Sequence, residues 1–260
     1  MKRIMWLGGD QPRHLYYINE IAKHFEVVGG IMQVRESQPE MKITLFPRDQ
    51  RNMTRHFWDR KQAEEKYFGE QEVPTFPLLK VDRGTLNDID SIEMVKKYKP
   101  DLVLVFGCGM IREPLFSALP KDTINLHLGL SPRYRGAATL FWPFYFLEPN
   151  WAGTTFHYIV NTPDGGDIIH QCVPKLESGD GIHDVACKAV KKSAEEVIGL
   201  IEKYPDWKHF PQKPEAGKNF LESDFKPQHL RMIYDVYENE IVDQFLGGKI
   251  ESKEPKLLRQ

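Results

Sequence analysis

The sequence predicts an α/β fold: an open, mostly parallel, twisted sheet flanked by helices, followed by a small C-terminal appendage. Three observations carry this. Short apolar runs alternate with segments of helical period along most of the chain, the alternation that builds parallel sheets through crossover helices. Residues 102–106 are apolar at every position, which suits a strand covered on both faces. The chain has 260 residues, 41% of them hydrophobic and 12% aromatic, enough for one large core and a short extension.

Residues 2–7 form an apolar run that stops at Gly8-Gly9-Asp10, and Leu15, Ile18, Ile21, Ala22 and Phe25 then line one helix face. With a second apolar run at 27–32, this opening reads as a strand–helix–strand unit. Gly8-Gly9 reads as a tight turn, because the longer glycine pattern of a phosphate-binding loop is missing. Residues 33–90 are broken by Pro39, Pro47, Pro74 and Pro77 and predict a decorated crossover with one helix over 53–68. A helix over 89–98 ends before Pro100-Asp101 and the strand at 102–106. There follow a helix near 112–119, a strand at 123–126, an aromatic helix over 138–147, and strands at 153–160 and 168–173. Ile182, Val185, Ala189, Val190, Val197 and Ile201 fall on one stripe of a closing helix, with Asp180 placed to cap it. Beyond Tyr204 come Pro205, Pro211 and Pro214, a helix around 228–237 and a strand around 240–246. The expected division is a catalytic domain at 1–204 and an α/β extension at 205–260.

Composition narrows the function. A formal charge of −2 gives no global positive field, so neither nucleic acid nor an anionic membrane is an expected partner. Three separated cysteines suit a reducing compartment, and the N-terminal apolar run is too short for a signal peptide. The expected location is the cytoplasm. Any oligomer would be a homodimer.

One stretch carries chemistry. Asn125 and His127 lie two apart at a strand end, so their side chains leave the same face of the sheet. The carboxyl ends of parallel strands are where open α/β sheets hold ligands. Ser131-Pro132-Arg133-Tyr134-Arg135-Gly136 follows as a loop, and Asp164 sits in a Pro-Asp-Gly-Gly turn 37 residues after His127. An amide, an imidazole and a carboxylate aimed at one point suit acyl-type transfer. The first two would donate to an oxygen turning negative, and the third would hold the imidazole and favour its charged form.

These residues resemble the 10-formyltetrahydrofolate-dependent formyltransferases, whose pattern is Asn-x-His, a Pro/Gly loop, then Asp-x-Gly at this spacing. The resemblance implies a Rossmann-like formyltransferase fold, catalytic Asn125, His127 and Asp164, and 10-formyltetrahydrofolate as co-substrate held near Gly109, Met110, Ile111 and Gly165. It implies an amine acceptor, which Arg133, Tyr134 and Arg135 would contact, and no metal. A nucleotide-linked amino sugar is the favoured acceptor, since no C-terminal β-barrel like that of the tRNA enzyme is visible. Other amines, among them a hydroxyornithine-type acceptor or methionyl-tRNA, remain alternatives. So do hydrolysis of the formyl-folate and a non-catalytic nucleotide-binding module.

Blander readings stand beside these. Arg133 and Arg135 could be solvated surface, and Trp142, Phe144, Tyr145 and Phe146 suit a helix packed on the sheet better than a base-stacking platform. His170, Cys172, His183 and Cys187 match no compact zinc spacing.

Overall fold

The computed structural model describes residues 2–34, 46–213 and 216–260. Residues 35–45 of the expected crossover, Pro39 among them, and Pro214 lie outside the described residues.

β1 (Ile4–Gly9) runs into α1 (Pro12–Ala22) and β2 (Val27–Gln33), the expected opening unit. Pro12 stands in the first turn of α1, where a missing N–H costs nothing. Gly8 and Gly9, expected as the turn, belong to β1 and pair with Met32 and Gln33 of β2, and a Cβ on Gly9 would lie 2.4 Å from the ring of the buried His14. α2 (Pro47–Phe68) begins six residues before the expected position 53, since Asp49 and Asn52 continue its buried face upstream. β3 (Leu78–Val81) lies within the expected crossover; four residues, only one fully buried, are too few to show a period. α3 (Ile89–Tyr98), β4 (Leu102–Phe106), α4 (Leu115–Ala118) and β5 (Thr123–His127) follow in the order expected. β6 (Tyr134–Gly136) is a further short strand. α5 is a single turn, Trp142–Tyr145, rather than a helix over 138–147, because Ala138 (φ 54°) and Leu147 (φ 58°) bracket it in left-handed conformations. β7 (Thr154–Tyr158), β8 (Ile168–Cys172) and α6 (Ile182–Lys203) complete this part of the chain.

The seven-stranded sheet has the order β3-β2-β1-β4-β5-β7-β8. Its first five strands are parallel, while β7 and β8 run antiparallel to their neighbours. Both faces are covered. Ile4 and Trp6 of β1 point into a core with Ile18 and Ile21 of α1 and Val190, Val197 and Ile201 of α6. Met5 and Leu7, the alternate residues, meet Ile92 and Val95 of α3 on the other side. This two-sided burial is why the central strands read as unbroken apolar runs.

Asp180 does not cap α6. It stands one residue too early and instead takes Lys188 Nζ at 2.7 and 2.9 Å. The helix start is satisfied by Asp184, which accepts the Gly181 N–H at 3.1 Å, and by Asn239, whose Oδ1 accepts the Ile182 N–H at 3.1 Å. Beyond Tyr204, β9 (Lys218–Phe220) pairs in parallel with β6 as a separate two-stranded sheet. Within the helix expected around 228–237, residues 232–236 form a π-helical turn. The strand expected at 240–246 is a helix, α7 (Ile241–Leu246): its apolar Ile241, Val242, Phe245 and Leu246 sit at i, i+1, i+4 and i+5, one helical face. Phe220, Leu230, Ile233, Ile241 and Val242 pack with Phe141, Trp142, Phe144 and Val185, so this segment shares a core with residues before Tyr204. Trp142 stacks on Phe220 at 4.6 Å, so the aromatic cluster packs against the C-terminal segment rather than on the main sheet, with Phe146 exposed. No helix among the described residues is long and apolar enough to cross a membrane.

Candidate active site

The pleat of β5 sends Asn125 and His127 to one side, at its carboxyl end beside β4. The antiparallel register of β7 places His157 directly opposite Asn125, and the Asn125 Nδ2 lies 3.2 Å from His157 Nε2. The His157 Nδ1–H donates to the Tyr158 carbonyl at 2.9 Å. Its Nε2 stands between two groups, the Asn125 amide and, at 3.4 Å, the Asp164 carboxylate. The second Asn125 N–H takes no partner among the described residues.

His127 is buried, at 6% exposure. Its Nε2–H donates to the Tyr134 carbonyl at 2.9 Å, and its Nδ1 faces Asp164 Oδ2 at 3.4 Å. Asp164 itself is left-handed (φ 49°), a conformation Asp tolerates better than most side chains. From there its carboxylate accepts the Gly136 N–H at 2.9 Å on Oδ2 and faces His157 Nε2 at 3.4 Å on Oδ1. Only glycine serves at position 136: φ is 86°, and a Cβ would lie 2.2 Å from the Phe220 carbonyl oxygen. The loop between is held from β7 and β8. Ser131 N–H donates to Thr155 Oγ1 at 3.0 Å, and Gln171 Nε2 donates to the Ser131 carbonyl at 2.6 Å.

The electrostatics follow from this geometry. Burial would raise the Asp164 carboxyl, but the positive charge that His127 and His157 carry when protonated, together with the Gly136 N–H, overcomes it and holds the group far below the usual carboxylate range. Burial pushes the His127 imidazole below its ordinary value despite the pull of Asp164, with His157 and Arg135 adding to the downward push. Asp164 does favour the charged form of His127, as expected, but desolvation outweighs that pull. A neutral His127 with its proton on Nε2 presents a bare Nδ1 to a carboxylate. That nitrogen is where a proton is best received, since uptake there turns a repulsive contact into an ion pair.

The structure brings Asn125, His127 and Asp164 together as expected and adds His157, which the sequence reading missed. Its strand, Thr-Thr-Phe-His-Tyr, offered no local signal. Gly165 is the next residue of the Asp164 turn, its N–H donating to Thr162 O at 3.1 Å. At the carboxyl end of β4, Gly109 N–H donates to Gln33 Oε1 at 2.5 Å, Met110 is exposed, and Ile111 packs against the core beneath α3. Arg133 forks onto Glu148 at 3.1 and 2.6 Å and lies over the Trp151 ring. The Tyr134 ring is buried, with its hydroxyl donating to the same Glu148 at 2.6 Å. Arg135 is buried beside His127. Among the described residues no three His, Cys, Asp or Glu side chains are grouped to hold a metal ion. His170 faces Glu196 at 2.5 Å, His183 faces His56 at 3.2 Å, and Cys172 lies 3.0 Å from Thr154.

The profile of the formyl transferase family matches residues 27–201. A methionyl-tRNA formyltransferase of Azobacteroides pseudotrichonymphae genomovar. CFP2 is 30% identical over 128 residues, covering 47% of this chain and 39% of its own length. One from Clostridium tetani (strain Massachusetts / E88) is 31% identical over 121 residues, covering 45% and 39%. The match thus spans about two fifths of the length of these curated relatives. Among solved structures, an N-formyltransferase from Helicobacter canadensis in complex with folinic acid and dTDP-3-aminofucose superposes with a TM-score of 0.56 at 15% identity, over 90% of this chain and 80% of that one. Glycinamide ribonucleotide transformylase 1 from Symbiobacterium toebii gives 0.52 at 20% identity, over 77% and 86%. At these identities the structural likeness establishes the fold, while the profile, matching well over half of the chain, establishes the lineage: this protein belongs to the formyl transferase family.

Proposed function

We propose that the protein is an N-formyltransferase that moves the formyl group of 10-formyltetrahydrofolate onto the amine of a nucleotide-linked amino sugar. The reading rests on one observation above all: an amide, an imidazole and an ionised carboxylate converge at the carboxyl end of β5 in a chain of this family. In the proposed reaction the neutral amine attacks the formyl carbon, and the carbonyl oxygen becomes negative. The second N–H of Asn125 donates to that oxygen. His127 Nδ1 receives the proton lost by the amine, Asp164 stabilises the resulting imidazolium, and the same proton returns to the departing folate nitrogen as the carbon–nitrogen bond breaks. His157 stands against the Asn125 amide at 3.2 Å. The exposed Met110 and the glycine-rich turn after β4 fit a flat heteroaromatic donor, with Gly109, Ile111 and Gly165 completing its surroundings. Residues 1–204 carry this chemistry as the catalytic domain, with 205–260 as its extension, and the acceptor lies toward Arg133, Tyr134 and Arg135.

The sugar N-formyltransferase of Shewanella sp FDAARGOS_354 and the Helicobacter canadensis N-formyltransferase, which holds dTDP-3-aminofucose, support the sugar acceptor. The curated methionyl-tRNA formyltransferases favour a second reading, in which the acceptor is an aminoacyl-tRNA; a net charge of −2 supports it less. The test is release of tetrahydrofolate from 10-formyltetrahydrofolate in the presence of UDP-, GDP- and dTDP-linked amino sugars, methionyl-tRNA or small amines. A formylated nucleotide-sugar is the expected product. Formylated methionyl-tRNA would move the acceptor to nucleic acid, formate without any amine would indicate a hydrolase, and an untouched donor across the panel would leave a binding module.

A further inference from the structure

The turn that carries Asp164 is tied to the end of β7 at Asp167, whose carbonyl accepts the Tyr158 N–H at 3.0 Å, and Asp164 itself lies beyond that pairing. Its backbone is left-handed at Asp164, and the carbonyls of Asp164 and Gly166 point away from any strand partner. Both are satisfied from a segment beyond the family-matched region. Gln212 Nε2 donates to the Asp164 carbonyl at 3.0 Å and to the Gly166 carbonyl at 2.5 Å. Because both facing atoms are carbonyl oxygens, the amide nitrogen is the end that must face them.

Neighbouring contacts keep Gln212 in place. Phe210 and Ile168 exchange both backbone hydrogen bonds at 2.9 Å, making residues around 210 a short antiparallel addition to β8. His209 stacks on the Tyr158 ring at 4.8 Å, at the end of β7. The same segment reaches Asp164 a second way. β9 pairs with β6, Ala137 N–H donates to the Phe220 carbonyl at 2.7 Å, and Gly136, between them, gives its N–H to the Asp164 carboxylate.

We infer that Gln212 is a positioning residue for the Asp164 carboxylate, clamping the turn in the one conformation that keeps Oδ2 against His127 and the Gly136 N–H. The inference rests on the reading of Asp164 as part of the formyl-transfer site. It assigns a role in that site to a residue outside the family-matched stretch, and it treats the chain after Tyr204 as a working part of the site. Without the clamp the turn relaxes, the carboxylate withdraws, and an imidazolium at His127 loses its counter-charge. The effect falls on turnover rather than on binding.

Two variants test it. Gln212→Met keeps the length of the side chain and removes the donor; Gln212→Glu keeps the shape and sets an oxygen against two carbonyls. The expected result is a loss of about 10- to 100-fold in kcat with KM for both substrates nearly unchanged. Gln212→Glu should recover part of its loss as the pH falls and its carboxyl regains a proton to donate, a response that a purely structural role would not give. A second readout is independent of turnover: the imidazole NMR signals of His127, followed against pH, should shift in both variants relative to the wild type while circular dichroism stays unchanged. Wild-type kcat and a wild-type His127 titration in both variants would overturn the inference. If the wild type transfers no formyl group to any acceptor, the functional reading fails. The NMR titration then still decides whether Gln212 holds Asp164, a shift supporting it and no shift overturning it.

Discussion

The two halves of the site are built differently. Asn125 and His127 stand on β5, a central strand whose pleat alone sends both side chains the same way. Asp164 stands on a turn outside the sheet, and its place is set by bonds from Gly136 and Gln212 and by facing imidazoles from two other strands. A strand-borne group keeps its position while its sheet survives; a loop-borne group depends on partners far away in sequence. Both groups should be equally necessary for turnover, yet they should fail in different ways. His127→Ala and Asp164→Asn are each expected to cut kcat by about a thousand-fold. Equilibrium binding of a non-reactive folate, measured by calorimetry, should survive both. Turnover within ten-fold of wild type in either variant would remove that residue from the proton-transfer step.

The next largest effect separates the halves through stability. Gly136→Ala sets a Cβ 2.2 Å from the Phe220 carbonyl oxygen at a φ of 86°, so the β6–β9 pairing must give way. We expect a loss of about 2–4 kcal/mol in urea denaturation. Hydrogen exchange should rise around residues 134–136 and 218–220, while the amides of β1, β4 and β5 keep their relative protection. Uniform loss of protection across the sheet would mean that the two halves unfold as one unit.

This contrast also explains what could be read from the sequence. Asn125 and His127 were legible because a period of two is a local property, and Asp164 because Pro-Asp-Gly-Gly announces a turn at a telling distance. His157 was not legible: it meets Asn125 only because β7 runs antiparallel to β5 in one register, and no local pattern specifies a partner strand. Gln212 lies in a Pro-rich stretch without periodicity, so its target could not be inferred. β3 was too short to show a period, and α7 was read as a strand because six residues of mostly apolar character satisfy either pattern.

A smaller, pH-dependent effect acts on the same loop-borne half. The chain after Tyr204 rests on α2 and α6 through a buried trio, with His56 Nδ1 lying 3.0 Å from the Tyr234 hydroxyl and 3.2 Å from His183 Nε2. Burial pushes His56 down to about 4, with Arg60 adding to it, and burial, His56 and Arg60 push His183 down to about 2. Arg55 and Asp59 of α2 flank Tyr234 on the same side. Both rings are neutral in the folded protein, whereas in the unfolded chain they take up protons near the ordinary value of about 6.5. The stabilisation is thus complete above about pH 6.5 and declines as the pH falls toward the folded-state values. Its slope approaches about 1.4 kcal/mol per pH unit for each ring. Urea midpoints at pH 7.5, 6.5 and 5.5 should show the decline, and His183→Asn should roughly halve its slope. A slope unchanged by that substitution would place the acid sensitivity elsewhere.

The smallest effect concerns Arg133, which sits on the loop between the two halves. One edge of its guanidinium, the Nε–H and Nη2–H pair, is engaged by Glu148, and the pair is partly exposed, so its loss should cost no more than about 1 kcal/mol. An arginine whose charge is already paired with a carboxylate has less to offer a phosphate, and Tyr134 donates to the same Glu148. Arg133→Ala is therefore expected to leave KM for a diphosphate-bearing acceptor within about two- to three-fold of wild type, an interaction of well under 1 kcal/mol. A rise of ten-fold or more, with the melting temperature unchanged, would show that the acceptor displaces Glu148 and that the loop is recruited into binding as the site fills.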